Sequence, residues 1–137
     1  MIEVLNSKDY HLIPDVYARG FSEEPWKDDW HEIPQFNEHT MWVYKEGMIK
    51  GFIISFIIRG NPYISVLTVV PEYTRKGIAS KLLGHCIDYW SEKHDDIYLH
   101  VEKDNLPAIH LYKKHDFVIL REDKKEYYMK RENKWKD

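Results

Sequence analysis

The apolar residues of this chain follow two periods, and the changes of period mark its elements. Met1 to Leu5 reads as a short edge strand. Asn6 or Ser7 then offers a helix cap, and Leu12, Ile13, Val16 and Tyr17 make a helical face that stops near Gly20. From Met41 the period is that of strands. Met41 to Tyr44 and Ile49 to Ile58 flank Lys45-Glu46-Gly47, a short turn with a glycine available for positive φ. Arg59-Gly60-Asn61-Pro62 predicts the next turn. Ile64, Val66, Leu67, Val69 and Val70 form a third strand, which Pro71 ends because it cannot donate to a ladder. Ile78, Leu82, Leu83, Cys86, Ile87 and Trp90 return to helical spacing as one apolar stripe. Ile97, Leu99 and Val101 then alternate with Tyr98, His100 and Glu102 in a further strand. Asp104 or Asn105 can cap a helix that runs through Ala108, Ile109, Leu111 and Tyr112 to about Lys114, with Pro107 in its first turn. Phe117 to Leu120 and Glu126 to Met129 read as a closing hairpin, and Arg131 to Asp137 as a polar, frayed end. This order predicts an α+β fold on a mixed sheet.

Length and composition narrow the picture. At 137 residues the chain is expected to be one domain, residues 1–137, around a single core. A net charge of -3 and a pI of 6.2 argue against nucleic acid as the main partner, because phosphate-backbone binding leaves a basic footprint. Met1-Ile2-Glu3-Val4 lacks the basic-then-apolar order of a signal peptide, and the run from Phe52 to Ile58 is too short to span a bilayer. The lone cysteine, Cys86, cannot form an internal disulfide and is expected to be a small core residue. A cytoplasmic protein with no membrane partner is the expectation. One stretch is unusual: Trp26 and Trp30 stand among Glu23, Glu24, Asp28, Asp29 and Glu32. They read either as an acceptor pocket that attracts a cationic amine or as a solvated helix with its tryptophans on the core, and the second reading is the default.

The chemistry begins at Thr74-Arg75-Lys76-Gly77-Ile78-Ala79-Ser80, between a strand end and an amphipathic helix. The first N–H groups of a helix have no intrahelical partner and lie at the positive end of its dipole. Gly77 carries no side chain to shield them, so the stretch reads as a phosphate cradle. No Gly-Lys-Ser/Thr of a Walker loop and no dinucleotide fingerprint is present.

This stretch resembles the Gln/Arg-x-x-Gly-x-Gly/Ala loop of the GCN5-related N-acetyltransferase (GNAT) family, which follows the family's fourth strand and binds the pyrophosphate of acetyl-CoA. Thr74 departs from the usual Gln or Arg without removing a backbone donor. A second resemblance runs from Leu99 to Phe117. Leu99, Val101, Asn105, Ala108, Leu111, Tyr112 and Phe117 match the family's pattern, and Asp116 replaces a glycine at the helix C-cap. Together the motifs cover roughly residues 40 to 120. The resemblance implies a single-domain, mostly antiparallel central sheet of six or seven strands flanked by about four helices. It also implies acetyl-CoA as co-substrate, no metal, and a possible homodimer.

It further implies roles for named residues. The backbone of Leu67, Thr68 and Val69 is expected to pair with the pantetheine arm and to face the thioester carbonyl. Arg75, Lys76, Gly77, Ile78, Ala79 and Ser80 are expected to meet the pyrophosphate, and Asn105 the cofactor or an ordered water, although it doubles as an N-cap. Tyr112 matches the family's general acid. A lysine-like amine has a pKa of about 10.4, so reaching its neutral form at pH 7 costs about 4.6 kcal/mol and makes a base worth having. His100 stands where the ribosomal-protein alanine acetyltransferases have a glutamate, and imidazole titrates near neutrality. It is the candidate base, with Glu102, Tyr63 and Glu24 as rivals, and with a lining role on the strand as the plainer alternative. His31-Glu32 is not followed by the second histidine of a zinc-protease motif, and His110 and His115 do not share a helix face. The reading is direct acetyl transfer to a primary amine of a small molecule, peptide or protein. A non-catalytic acyl-CoA sensor is the alternative, and a transferase acting on charged tRNA fits the acidity less well.

Overall fold

The computed structural model describes residues 2–4, 40–74 and 76–132. The expected helix over Leu12 to Tyr17, the Trp26/Trp30 pair and Arg75 lie outside the described residues. The elements are β1 (Ile2–Val4), β2 (Thr40–Glu46), β3 (Met48–Ile58), β4 (Asn61–Val69), α1 (Ile78–Ser91), β5 (Asp96–Glu102), α2 (Leu106–Lys114), β6 (Val118–Glu122) and β7 (Glu126–Glu132). They form one seven-stranded sheet in the order β1-β2-β3-β4-β5-β7-β6. All neighbours are antiparallel except β4 and β5, which are parallel and joined through α1, as a parallel connection requires. Two of the expected helices are therefore seen among the described residues. None is long and apolar enough to cross a membrane.

Each face of the sheet carries an apolar cluster. On one side α1 packs Leu82, Leu83, Cys86 and Trp90 against Ile53, Ile97, Leu99 and Met129, and α2 adds Ile109 and Tyr112. The other side holds Met41, Val43, Phe52, Ile54, Val66 and Val70. Central β3 serves both faces, which explains its unbroken apolar run. Cys86 is a buried core residue, and burial pushes its thiol up to about 12.

One irregularity decides which face β4 presents. Ile54 pairs with Val66 while the next residue, Ser55, pairs with Ile64, so Ser65 is an extra residue. Such a bulge reverses the alternation beyond it. Ile64 accordingly points to the helix side and Val66 to the opposite cluster. Close strand approach continues to the end of β4. A Cβ on Gly51 would sit 2.8 Å from the Thr68 carbonyl oxygen.

The chain end differs from expectation. β7 continues to Glu132, and Arg131 is buried rather than frayed. Its Nε donates to the His115 carbonyl at 2.9 Å, which holds β7 to the C-terminus of α2.

Candidate functional site

The loop after β4 is shaped by short-range bonds. Val70 N–H donates to the Lys50 carbonyl at 2.9 Å as the chain leaves the sheet. Pro71–Tyr73 forms a 3-10 turn. Thr74 closes it, its hydroxyl donating to the Pro71 carbonyl at 2.9 Å. The residue that replaces a long polar side chain thus braces the turn. Gly77 is the N-cap of α1 with φ 81, a left-handed conformation that favours glycine. A Cβ there would meet nothing within 4 Å, so the approach to the helix end is open. Lys81 N–H is bonded to the Gly77 carbonyl at 3.0 Å; the amides of Ile78, Ala79 and Ser80 precede it, in the first turn, where no intrahelical carbonyl can reach them. Ile78 also anchors the helix in the core, and Lys76 is exposed.

Beside this loop β4 leaves β5. Their ladder consists of Tyr63 with Tyr98 and Ile64 with Leu99. Leu67, Thr68 and Val69 continue to pair with β3, while no ladder to β5 accompanies them. Backbone groups on the β5 side of that stretch are therefore available to an extended ligand. Thr68 is buried on one face, and Leu67 and Val69 pack against the helix-side cluster on the other.

His100 follows the last rung of the β4–β5 ladder and projects from the face opposite the helices. Its Nδ1 lies 2.6 Å from Tyr63 Oη. Burial, then the charge of Glu126 and the nearby Tyr128, push the Tyr63 phenol up to about 12, so it keeps its proton at neutral pH. The imidazole also lies 4.5 Å, centre to centre, from the Tyr128 ring. Both residues open onto a cavity of about 440 Å³ that Tyr98, Arg59 and Arg121 also line. Of the rival bases, Tyr63 is the partner of His100, Glu102 is exposed on the same strand, and Glu24 lies outside the described residues.

Tyr112 and Asn105 occupy α2. Asn105 Oδ1 accepts from the Ala108 N–H at 3.3 Å, the capping bond its position suggested. Tyr112 is buried, edge-on to Phe117, and burial raises its phenol well above the ordinary range. Asp116 has φ 70, the left-handed cap conformation expected of a glycine substitute.

Two residues that the linear pattern did not single out tie these parts together. His115 Nε2 lies 2.9 Å from Ser80 Oγ, which joins the end of α2 to the first turn of α1. Burial, then the neighbouring Arg131 cation, hold the imidazole below its usual pKa. Tyr128 stands opposite His100 on β7. Neither could be found without the register that brings them there. Among the described residues, no group of His, Cys, Asp or Glu is arranged to hold a metal ion.

Comparison with known proteins agrees with this geometry. A family model described as "Acetyltransferase (GNAT) family" matches residues 8–117. N-alpha-acetyltransferase 50 of Danio rerio is 41% identical over 68 residues, which cover 48% of this chain and 40% of that protein. The chain spans about half the length, or less, of the curated relatives it matches. The ribosomal-protein-S18-alanine N-acetyltransferase from Escherichia coli superposes with a TM-score of 0.83 at 20% identity, covering 96% of this chain and 92% of that one. Arabidopsis thaliana NAA60 in complex with acetyl-CoA superposes at 0.81 and 20% identity, covering 98% of each chain. The two superpositions establish the shared fold.

Proposed function

The chain belongs to the GNAT acetyltransferase family, and on that premise we propose that it transfers the acetyl group of acetyl-CoA directly to a primary amine. The observation that carries the reading is the Tyr63–His100 pair, set in a cavity beside the point where β4 and β5 part.

The residues divide the work. Acetyl-CoA supplies an activated acetyl group. The amides from Lys76 to Ser80 hold its pyrophosphate at the open end of α1, and the β5-side backbone of Leu67 to Val69 holds its extended arm. Arg75 adds a cation to the same loop. The acceptor enters the cavity from the opposite face of the sheet. His100 takes the amine proton. In the tautomer that serves, Nδ1–H donates to Tyr63 Oη and the Nε2 lone pair faces the acceptor. Tyr63, neutral at pH 7, fixes the ring through this bond. The amine nitrogen then forms a bond to the acetyl carbon, the carbon–sulfur bond breaks, and the thiolate takes up a proton. Tyr112 lies so far above a thiol's pKa of about 8.5 that it stabilises the leaving sulfur by donating a hydrogen bond rather than by releasing its proton. Asn105 orders the helix that carries Tyr112.

A terminal α-amine is the acceptor class that suits this base. Its pKa is about 7.7–8.0, against about 10.4 for a lysine, so an imidazole can deprotonate it with little penalty. The similarity to N-alpha-acetyltransferase 50 supports the same choice.

Thermal unfolding with acetyl-CoA, together with thiol release over a panel of peptides and amines, tests the reading. At a hundredfold excess over Kd, binding should add about 2.7 kcal/mol of stability. Release of CoA with at least one peptide is expected. A thermal shift with no release from any acceptor would identify a binding module, and no shift at millimolar acetyl-CoA would overturn both.

A further inference from the structure

The cavity that holds the base is also lined by two arginines that acetyl transfer does not require. Arg121 on β6 stands opposite Tyr128 in the β6–β7 ladder, and Tyr128 stands opposite His100 in the β7–β5 ladder. The three side chains therefore form a row across one face of the sheet. The Arg121 guanidinium lies 4.4 Å from the centre of the Tyr128 ring, and that ring lies 4.5 Å from the imidazole. Arg121 is thus held one aromatic ring away from the base, its fork oriented by stacking. Arg59 lines the same cavity from the β3–β4 turn, where its backbone takes the left-handed conformation, φ 53. Neither guanidinium has an ion-pair partner among the described residues. The carboxylates at this end are otherwise arranged. Glu122 is paired with Lys103 at 3.0 Å, and Asp123 accepts the amides of Lys125 and Glu126 at 2.8 Å each. Glu126 lies in a small adjoining pocket that His100, Arg121 and Tyr128 also line, and its charge is felt at the Tyr63 phenol.

The cavity is consequently cationic on both sides of the base. The base stands between two guanidinium groups, Arg121 across the Tyr128 ring on one side and Arg59 at the β3–β4 turn on the other, both free to make bidentate bonds. We propose that Arg121 and Arg59 select an acceptor bearing a carboxylate a few bonds from its amine. The arginines bind the carboxylate and so hold the amine against His100, which stands between them. The shared chemistry has two sources: the acidic side chain near the start of a peptide, or the carboxylate of a free amino acid. This deepens the acetyltransferase reading and rests on it.

The test measures kcat/KM for CoA release from acetyl-CoA with matched acceptors. One arm compares peptides with Asp or Glu at the second position against the same peptides with Asn or Gln. The other compares free amino acids with their amides. At least one arm is expected to favour the carboxylate by tenfold or more, and the arm that does so identifies the source. Arg121→Gln and Arg59→Gln should each bring the ratio towards one, and Arg121→Lys should restore part of it. Equal rates for carboxylate and amide in both arms, or a preference unchanged in both Gln variants, would overturn the assignment of the arginines while leaving acetyl transfer intact. No CoA release with any acceptor would overturn the acetyltransferase reading itself, and this proposal with it.

Discussion

Tyr63 Oη lies 2.6 Å from Nδ1 of His100, a side-chain bond that joins β4 to β5 beside the last rung of their parallel ladder. The bond orients the imidazole where the two strands part. Tyr63 is pushed up to about 12, chiefly by burial, and remains a neutral phenol at neutral pH.

Removal of the base should be severe. Positioned bases contribute roughly 10²–10⁴-fold, so His100→Gln should lower kcat by about a hundredfold or more and flatten the neutral limb of the pH–rate profile. Tyr63→Phe keeps the imidazole but removes its partner; a loss of about tenfold, near one hydrogen bond's worth, is expected in kcat. A His100→Gln enzyme with an unaltered pH profile would remove His100 from the chemistry.

Tyr112 is predicted to act without changing its own charge. Burial holds its phenol above the range of the pH–rate profile. Tyr112→Phe should therefore lower kcat by about tenfold, the loss of one hydrogen bond to the leaving sulfur, and leave the apparent pKa values of the profile in place. A shift in the basic limb would show instead that Tyr112 titrates during turnover.

Gly77 separates conformational from ligand effects. A methyl group there meets nothing within 4 Å, so Gly77→Ala pays only for the left-handed backbone, about 1–2 kcal/mol by denaturant titration. The same methyl stands over the open amides of α1, and the thermal shift on adding acetyl-CoA should shrink. A full shift would place the cofactor's phosphates elsewhere.

His115 predicts a pH dependence of stability. Its folded pKa is depressed, chiefly by burial and then by Arg131. As pH falls, the unfolded chain takes up this proton before the folded one does. The contribution is therefore complete above about pH 6.5 and is lost as pH falls through the lower folded value. His115→Gln should reduce the drop in denaturation midpoint between about pH 7.5 and about pH 5.5, and an unchanged drop would assign the dependence to other groups.

Much of this architecture was legible from residue order because its determinants are local. α1 begins at Ile78, directly after Gly77, and α2 at Leu106, after Asn105, one of the two cap candidates with Asp104. Asp116 adopts the left-handed cap its position called for. What stayed hidden depends on pairing between distant strands. Simple alternation would put Ile64 and Val66 on one face, and only the extra Ser65 sends them to opposite clusters. Arg131 looked like part of a polar tail, yet its guanidinium is drawn inward by a carbonyl at the end of α2. His100 is a candidate base through the family resemblance, while its strand position suggests only a lining role. The ring of Tyr128 and the guanidinium of Arg121 beside it follow from the β5–β7–β6 register, which no local pattern reports.

The most direct measurement is mass spectrometry of peptides with free N-termini, incubated with acetyl-CoA and either the wild-type protein or His100→Gln. One acetyl group on the terminal amine is expected with wild type, and product reduced to near background with the variant. No acetylated peptide with wild type, or equal product from both proteins, would contradict it.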